Sequence, residues 1–340
     1  MPRIGRVDSR RQLTLSTDVL ESTVTRIRAA LAAASVLLLA ACGSGQGSES
    51  SGKGPATVKV SVIPIVDVAP VYLGNQQGFF AEQGLKLQVE TAQGGAAIVP
   101  AVVSGQVDFG FSNYTSLIIA RSKGLPLKVV APGNASTGVK GKDFGGVVVK
   151  SGSPIKSAKD LVGRRVAVNT LNNINDTTVR ASIRAAGGDA KNVKFTELAF
   201  PDMQAALDKG NVDAIQVVEP FLTTALKGGG RLVASNYVDT APNLTIAAYF
   251  TSQKTAASKP DLVKRFTAAM QKSLRYADAN PDAVRKVLGT YTKIDPSVTG
   301  ALTLPEYPAQ VNGAGLRTLE NLAAQDGLIA KTPDVKDLLP

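Results

Sequence analysis

A short pattern occurs twice in this chain, 105 residues apart (residue 104 against residue 209). SGQVDFGFSNYT (Ser104–Thr115) aligns without gaps on KGNVDAIQVVEP (Lys209–Pro220), and Gly, Val and Asp recur at the same three positions. The flanking sequences also correspond: LKVVAPGN lies over LVASNYVD at the same offset, and VKVSVIPIVD over RRVAVNTLNN within about one residue. One long duplication predicts two similar lobes rather than a solenoid of short repeats.

Each half alternates β-rich and helical segments. In the first half TVKVSVIP, KLQVETAQ and VDFGFSN read as strands, and their counterparts in the second half are RRVAVN, VKFTELAF and VDAIQVVEP. Strands that alternate with helices of about ten residues indicate βαβ units and a parallel sheet. The predicted fold class is therefore α/β, with lobe 1 at residues 57–147 and lobe 2 at residues 148–243.

The chain continues beyond the second half. LTIAAYFTS (Leu244–Ser252) predicts another strand, and apolar residues after Pro260 recur at helical spacing. We expect residues 244–340 to return to lobe 1 and to end in helices. The chain would then pass between the lobes twice, near GGVVVKSGS and near Thr245–Thr251.

The composition limits the chemistry available to the chain, which contains no histidine and one cysteine. Ser-His-Asp and Cys-His catalysis, histidine bases, histidine metal sites, internal disulfides and cysteine zinc clusters are excluded. We predict no catalytic residues, no metal and no cofactor. The formal net charge is +11, but no basic run is interleaved with aromatic residues, so a basic surface near anionic lipid is favoured over nucleic-acid binding.

The single cysteine follows a short apolar run near the N-terminus. Arg26 and Arg28 precede Ala29–Ala41, and these 13 residues are fewer than the roughly 20 that span a bilayer. A basic flank, a short apolar region and small residues before a cysteine indicate an export signal. Leu39-Ala40-Ala41-Cys42 resembles the lipobox of bacterial lipoproteins, in which the cysteine is lipidated after cleavage.

We therefore predict a lipoprotein signal peptide at residues 1–41 and lipidation of Cys42. Residues 1–23 are, on this hypothesis, an over-extended gene start. Residues 42–56 contain GSGQGSESSGKGP and predict a flexible Gly/Ser tether. The alternative is a buried cysteine in a short core helix, which would not explain the tether.

Five segments in a fixed order carry a resemblance to a known family: APVYLGNQQGFFAEQGLKLQVE, GQVDFGFSNYTSLIIARSKGLPLKVVA, AKDLVGRRVAVN, VDAIQVVEPFL and ANPDAVRKVLGTYTKIDP. They resemble the solute-binding proteins of ABC importers in the nitrate, sulfonate, taurine and thiamine-pyrimidine-precursor (NMT1/THI5-like) group. The resemblance runs from about Thr57 to the C-terminus. It implies a type II periplasmic-binding-protein fold, in which two Rossmann-like lobes joined by a two-strand hinge close on a small molecule.

The same resemblance implies a function and partners. The protein would be a monomer on the outer side of the cell membrane or in the periplasm, held by its N-terminal lipid anchor. It would deliver a small polar organic ligand to a transmembrane ABC permease with its ATPase. No nucleic acid takes part in this function.

Ligands of open α/β sheets bind beyond the carboxyl ends of the strands, where helices begin. The loops that follow the predicted strands therefore supply the candidate site. QGGAAI is alternatively a plain turn, and the polar residues of FSNYTS alternatively cap a helix. The candidate ligand-binding residues are Ile65, Asp67, Gln93, Gly94, Gly95, Ala96, Ser112, Asn113, Tyr114, Asn169, Thr170, Asn172, Asn173, Asp176 and Glu219.

The stretch NTLNNINDTT bears on the charge of the ligand. Sulfonate-binding members of the group have a Gly/Ser-rich turn here, whereas this chain has four Asn and one Asp in ten residues. Asp176 is alternatively only a helix cap, but even a cap would occupy the positive helix end that an anion needs. A neutral or cationic nitrogen heterocycle, such as an amino-pyrimidine, therefore fits these loops better than a sulfonate, taurine or nitrate.

Two other functions are compatible with the sequence. One is a ligand sensor that presents its closed form to a membrane receptor. The other is an exported enzyme that uses Asp176 and Glu219 as an acid/base pair, against which stands the absence of histidine. Four aromatic residues are potential stacking partners for a ligand, although each is more often part of a core: Tyr114, Phe200, Phe221 and Tyr237.

Overall fold

The computed structural model describes residues 54–330 and 338–339. The predicted signal peptide, Cys42 and the tether as far as residue 53 lie outside the described residues. Within the ranges described, no helix is both long and apolar enough to cross a membrane.

Ten strands form two five-stranded sheets in this part of the chain. The strands are β1 (Ala56–Val62), β2 (Leu85–Thr91), β3 (Phe109–Asn113), β4 (Leu127–Pro132), β5 (Gly145–Lys150), β6 (Arg165–Val168), β7 (Lys194–Glu197), β8 (Ala214–Val218), β9 (Gly230–Ala234) and β10 (Ala247–Ser252). The first sheet has the order β2-β1-β3-β10-β4 and the second has the order β7-β6-β8-β5-β9. We call each sheet with its helices a lobe.

Both sheets are mixed, which corrects the expectation of a purely parallel sheet. In the first sheet β1 runs parallel to β2 and β3, but β10 runs antiparallel to β3 and β4. In the second sheet β6 runs parallel to β7 and β8, but β5 runs antiparallel to β8 and β9. The antiparallel strand of each sheet is the one at which the chain arrives from the other lobe.

The chain passes between the sheets twice. It leaves the first sheet after β4 and enters the second at β5, through residues 133–144. It returns to the first sheet at β10, through residues 235–246. The predicted boundary at 147/148 therefore lies inside β5.

The helices cover the faces of the two sheets. They are α1 (Ala69–Gln76), α2 (Phe79–Glu82), α3 (Gly95–Ser104), α4 (Tyr114–Ser122), α5 (Ile174–Ala185), α6 (Phe200–Asp208), α7 (Phe221–Lys227), α8 (Asn236–Thr240), α9 (Gln253–Ser258), α10 (Pro260–Ala279), α11 (Pro281–Leu288), α12 (Pro296–Thr299) and α13 (Gly313–Gln325). The long helix α10 packs on α1 in the first lobe, where Phe266 stacks on Phe109 with ring centroids 3.8 Å apart. Helix α13 contacts α4 of the first lobe and α5 of the second.

The repeated Gly-x-Val-Asp pattern has one structural role in both lobes. Its two glycines, after α3 and in the turn after α6, have a positive φ of 78° and 72°. Its two valines are buried. Asp108 accepts a hydrogen bond from the backbone N–H of Lys59 in β1, and Asp213 accepts one from the N–H of Arg165 in β6. The pattern therefore ends a helix and hydrogen-bonds the residue before β3 or β8 to the neighbouring strand of the sheet, which is β1 or β6.

Candidate functional site

A small cavity of about 30 Å³ lies between the lobes, beyond the carboxyl ends of β1, β3, β6 and β8. This is the position that the strand order predicts for a ligand. Both lobes and the start of the returning strand β10 contribute to it. Its lining residues are Ile63, Ile65, Asp67, Phe111, Asn113, Asn169, Asn173, Ile174, Asn175, Phe200, Val218, Tyr237, Ile246 and Ala247.

Asp67 is the acidic residue of this lining. It lies in a one-turn 3-10 helix, Val66–Val68, directly after β1, and only 3% of its surface is exposed. Asn134 Nδ2 donates a hydrogen bond to Asp67 Oδ1 at 2.9 Å, whereas Oδ2 has no partner among the described residues. Burial raises the pKa of the Asp67 carboxyl to about 7, because the charged form loses its hydration.

The backbone around Asp67 is held by two tyrosines and by the second lobe. Tyr291 donates from its hydroxyl to the carbonyl of Ile65 at 3.0 Å, and Tyr307 donates to the carbonyl of Val66 at 2.8 Å. The backbone N–H of Val66 donates to the carbonyl of Glu219 at 3.0 Å. These bonds fix the segment that presents Asp67 to the cavity.

Three asparagines and a tyrosine form a hydrogen-bonded cluster on the opposite wall. Asn173 Nδ2 and Asn175 Nδ2 donate to Asn169 Oδ1 at 3.1 and 2.7 Å. The Tyr237 hydroxyl donates to Asn175 Oδ1 at 2.7 Å. Asn169 Nδ2 donates across the cleft to the carbonyl of Gln93 at 3.3 Å, so the cluster also joins the two lobes.

Asp176 forms a capping box with Asn173 at the start of α5. Its Oδ1 accepts from the N–H groups of Asn173 and Thr177, and its Oδ2 accepts from the N–H of Asn172. Asp176 therefore uses both oxygens on the helix terminus and lines no cavity described here. Asn172, which has a positive φ of 55°, supports this turn and also lies outside both linings.

Glu219 joins the second lobe to the C-terminal part of the chain. Its Oε1 accepts from the Thr223 hydroxyl at 2.7 Å and from the Thr303 N–H at 3.1 Å, and its Oε2 accepts from the Thr223 N–H at 3.0 Å. The side chain is buried and does not line either cavity. Because Asp176 and Glu219 are both fully hydrogen-bonded, neither is placed as a free acid or base.

The loop Gln93–Ala96 brings the lobes into contact. A methyl group built at Gly94 would overlap Thr170 Oγ1 of the second lobe, and one built at Gly95 would overlap Ser112 Oγ. The absence of side chains at these two glycines therefore allows close approach. Within this loop Gln93 lines a second cavity, which is described below, and the other three residues line neither cavity: Gly94, Gly95 and Ala96. Thr170 of the second lobe also lines neither cavity.

Of the polar residues at the end of β3, one lines the first cavity and the others are buried in the core. Asn113 lines the first cavity and also caps α4, because its Oδ1 accepts from the Ser116 N–H at 2.9 Å. Ser112 and Tyr114 are buried away from both linings. The capping alternative and the ligand-facing alternative therefore coexist at Asn113.

A second cavity of about 260 Å³ adjoins the first. It shares Ile63, Ile65 and Phe200 with the first cavity, and the rings of Phe200 and Phe221 stack with centroids 5.6 Å apart. Its lining is largely apolar. The lining residues are Ile63, Pro64, Ile65, Thr91, Ala92, Gln93, Ala199, Phe200, Pro201 and Phe221.

Sequence reasoning did not select several lining residues as ligand contacts. Asn175 lies within a loop that it nominated, and its amide in a polar run was an available signal. Tyr237 was considered only as a stacking residue. Ala247 begins the far strand β10, Ile246 immediately precedes it, and neither carries a local signal. Among the described residues, no group of three or more acidic or cysteine side chains is placed to hold a metal ion.

Residues 65–284 match the family described as NMT1/THI5 like, which covers more than half of the chain. The chain belongs to this NMT1/THI5-like family.

Three similar proteins are named as binding proteins rather than enzymes. They are a riboflavin-binding protein of Chloroflexus aurantiacus (25% identical over 66% of this chain), a taurine-binding periplasmic protein of Escherichia coli (26% over 66%) and a formylaminopyrimidine-binding protein of Halalkalibacterium halodurans (25% over 65%). The alignments span 63%, 68% and 65% of these relatives, so the chain matches less than two thirds of the first and the third.

Solved structures share the fold over most of the chain. The ligand-binding component of an ABC-type import system from Staphylococcus aureus gives a TM-score of 0.73 at 15% identity, and covers 84% of this chain and 96% of its own. The alkanesulfonate-binding protein SsuA of Xanthomonas axonopodis gives 0.70 at 18% identity, and covers 85% and 99%. The predicted type II periplasmic-binding-protein fold is confirmed.

Proposed function

We propose that this protein is the extracytoplasmic solute-binding component of an ABC importer. Its two lobes close around a small polar organic ligand and deliver it to a transmembrane permease with its ATPase. One observation carries the proposal: a cavity lies between two α/β lobes at the carboxyl ends of their strands, and it is lined by Asp67, whose Oδ2 has no partner among the described residues. The fold and the binding-protein names of the relatives support it.

The proposed ligand contacts are the predicted residues that line the two cavities. These are Ile65, Asp67, Asn113, Asn169 and Asn173 in the first cavity, and Gln93 in the second. The relatives' names cover both ligand classes considered from the sequence, nitrogen heterocycles and sulfonates. Gly94 and Thr170 act in closure of the lobes, because they lie where the lobes touch, whereas Gly95 packs against Ser112 of its own lobe.

The proposed location is the outer side of the cell membrane or the periplasm. The lipobox-like Leu39–Cys42 supports lipid anchoring through Cys42, and the Gly/Ser-rich segment after it supports a tether. The protein acts as a monomer on this proposal. No enzymatic step is assigned, because both carboxylate oxygens of Asp176 and of Glu219 accept hydrogen bonds within the protein.

Native mass spectrometry of the purified protein tests the proposal directly. We expect a small molecule with a mass of roughly a hundred to a few hundred daltons to co-purify with the protein and to be released when the protein unfolds. Calorimetry with the identified compound, with taurine, with nitrate and with pyrimidine precursors then ranks the ligand classes. Two negative results together would contradict the proposal. The purified protein would bind no small molecule, and deletion of the gene would leave solute uptake by the cell unchanged.

A further inference from the structure

Asp67 differs from the other buried acidic residues near the cleft. Asp143 accepts hydrogen bonds on both oxygens from Ser136, Thr137 and the N–H of Phe144. Asp176 and Glu219 also use both of their oxygens. Asp67 Oδ2 alone among these four carboxylates has no partner, although Asp67 is buried and lines the cavity. A buried oxygen without a partner is costly unless a ligand supplies one.

Nothing in the two linings supplies a compensating positive charge. None of the described residues that line either cavity is Lys or Arg, and the chain has no histidine. At the first cavity the positive ends of α4 and α5 are occupied, because Asn113 caps α4 and the Asn173–Asp176 box caps α5. The helices α6 and α7, which begin at Phe200 and Phe221 of the second cavity, have no side-chain cap. An anion in the first cavity would therefore meet a carboxylate and no cationic side chain.

The first cavity instead has the features of a cation site. Three aromatic residues, Phe111, Phe200 and Tyr237, share its lining with Asp67. A carboxylate beside aromatic faces stabilises a protonated amine through charge pairing and cation–π attraction. The volume of about 30 Å³ admits a group of about the size of one ammonium or one water molecule.

The lining of the second cavity indicates the chemistry of the rest of the ligand. Its volume of about 260 Å³ is lined by the stacked rings of Phe200 and Phe221 together with Ile63, Ile65 and Pro201. Such a surface favours a flat apolar body over a second charged group. The shared residues Ile63, Ile65 and Phe200 place this body directly beside the polar cavity.

We propose that the ligand is an organic cation whose protonated amine or amidine pairs with Asp67 and whose flat apolar body lies against Phe200 in the second cavity. This inference rests on the proposed function and names the class of ligand. It distinguishes the proposed ligand from a sulfonate or nitrate, because an anion is favoured by free helix N-termini or cationic side chains rather than by a buried carboxylate.

Three probes that share one ring and differ in their head group test the charge requirement. They are 2-phenylethylamine, 2-phenylethanol and 3-phenylpropanoate, titrated into ligand-stripped purified protein and followed by calorimetry and thermal shift. We expect the amine to bind at least tenfold more tightly than the alcohol, and the carboxylate not to bind. Equal or tighter binding of the alcohol or the carboxylate would overturn the inference.

Single substitutions test which residue binds the amine and which residue contacts the ring. Asp67→Asn keeps the shape and removes the charge, and should abolish the preference for the amine over the alcohol. Asp282→Asn, at a fully exposed side chain, makes the same change in charge and should leave the preference intact. Phe200→Ala should weaken the aromatic amine by about tenfold while retaining the preference for amine over alcohol. An amine preference that survives in Asp67→Asn would overturn the assignment.

The outcomes separate this inference from the function on which it rests. Tight binding of taurine, a simple sulfonate or nitrate with no effect of Asp67→Asn would leave the solute-binding function standing and overturn the cation class. A co-purified compound that carries an amine or amidine would support both. Failure to bind any small molecule, together with solute uptake that is unchanged by deletion of the gene, would overturn both.

Discussion

Asn134 Nδ2 donates a hydrogen bond to Asp67 Oδ1 at 2.9 Å, and it is the side-chain partner that the described structure gives this buried carboxyl. Asn134 lies in the connection from β4 to β5, the first passage between the lobes, and Asp67 lies at the cavity. The bond therefore links the cavity to the segment about which the lobes would move. Bending of that segment on closure would act on the same carboxyl that faces the ligand.

Asp67 makes the stability of the ligand-free protein dependent on pH. Its pKa is about 7 in the folded protein and its ordinary value is 3.8, so between these values the folded state holds a proton that the unfolded state has lost. Stability must therefore fall as pH rises through this window. Relative to Asp67→Asn, we expect the free energy of unfolding of the wild type to decrease by roughly 2–4 kcal/mol from about pH 4 to about pH 8.

Denaturant unfolding at several pH values measures this difference. The comparison with Asp67→Asn cancels the contributions of Asp143 and other groups that both proteins share. Asp282→Asn serves as the matched control, because it removes one carboxylate at a fully exposed side chain that lines neither cavity. A constant difference between wild type and Asp67→Asn across the range would show that Asp67 is ionised in the folded protein.

Gly94 is expected to control closure of the lobes. In Gly94→Ala the new methyl group overlaps Thr170 Oγ1, and overpacking of this kind costs about 1–3 kcal/mol. We expect about tenfold weaker ligand binding with little loss of thermal stability. The double variant Gly94→Ala/Thr170→Ala removes the overlapping hydroxyl and should restore affinity.

A glycine elsewhere provides the matched control for that prediction. A methyl group at Gly152 meets nothing within 4 Å, so Gly152→Ala should bind as the wild type does. Calorimetry measures affinity, and small-angle scattering measures the fraction of closed protein. Unchanged binding by Gly94→Ala would show that this contact is not part of the closed state.

Asp176 is expected to support the site through α5 rather than through the ligand. Asp176→Ala removes the acceptor for three backbone N–H groups, which should cost about 1–2 kcal/mol of stability. Asn173, which lines the cavity, loses one of these bonds, so affinity should also fall. Thermal unfolding and calorimetry on the same samples measure both effects.

The chain has a matched capping box for comparison, formed by Ser157 and Asp160 in the second lobe. Asp160→Ala should lower the melting temperature without changing affinity, because neither residue lines a cavity. An affinity loss of equal size in both variants would mean that general destabilisation, and not the position of Asn173, explains the effect of Asp176→Ala.

On the proposed lipid anchoring through Cys42, Cys42→Ala should release the protein from the membrane. The lipobox-like segment requires the cysteine thiol for lipidation, so the variant should shift from the membrane to the soluble fraction. Its affinity for the ligand should equal that of the wild type. Cell fractionation with immunoblotting, followed by calorimetry, checks both expectations; a loss of affinity would place Cys42 within the fold.

Local patterns in the sequence predicted the duplicated part of the fold. β3 and β8 occupy 109–113 and 214–218, the same 105-residue offset as the repeat that contains them. The Gly-x-Val-Asp pattern worked because its glycine ends the preceding helix locally, and because the repeat carries the long-range bond of Asp108 and Asp213 to the adjacent strand along with it. The cap at Asp176 was foreseeable for the same reason.

The return of the chain to the first lobe after residue 244 was expected, but the strand directions and side-chain contacts that depend on distant parts of the chain were not. The direction of β5 and β10 follows from the path of the chain between lobes, and no local pattern encodes it. Tyr237 reaches Asn175 over 62 residues of sequence, so its place in the polar cluster is not visible from its own surroundings. Asp67 was nominated by its position after a strand, but its missing partner emerged only from the packed structure.

The return of β10 to the first sheet has a consequence for the order in which the lobes can be completed. The second sheet is contiguous in sequence, from residue 145 to residue 234, whereas the first needs residues 247–252 to fill its interior. A chain that emerges N-terminus first from a ribosome or a secretion channel therefore supplies the whole second sheet while the first still has an open slot beside β3. The lobe that begins earlier in the gene is the later one to be finished.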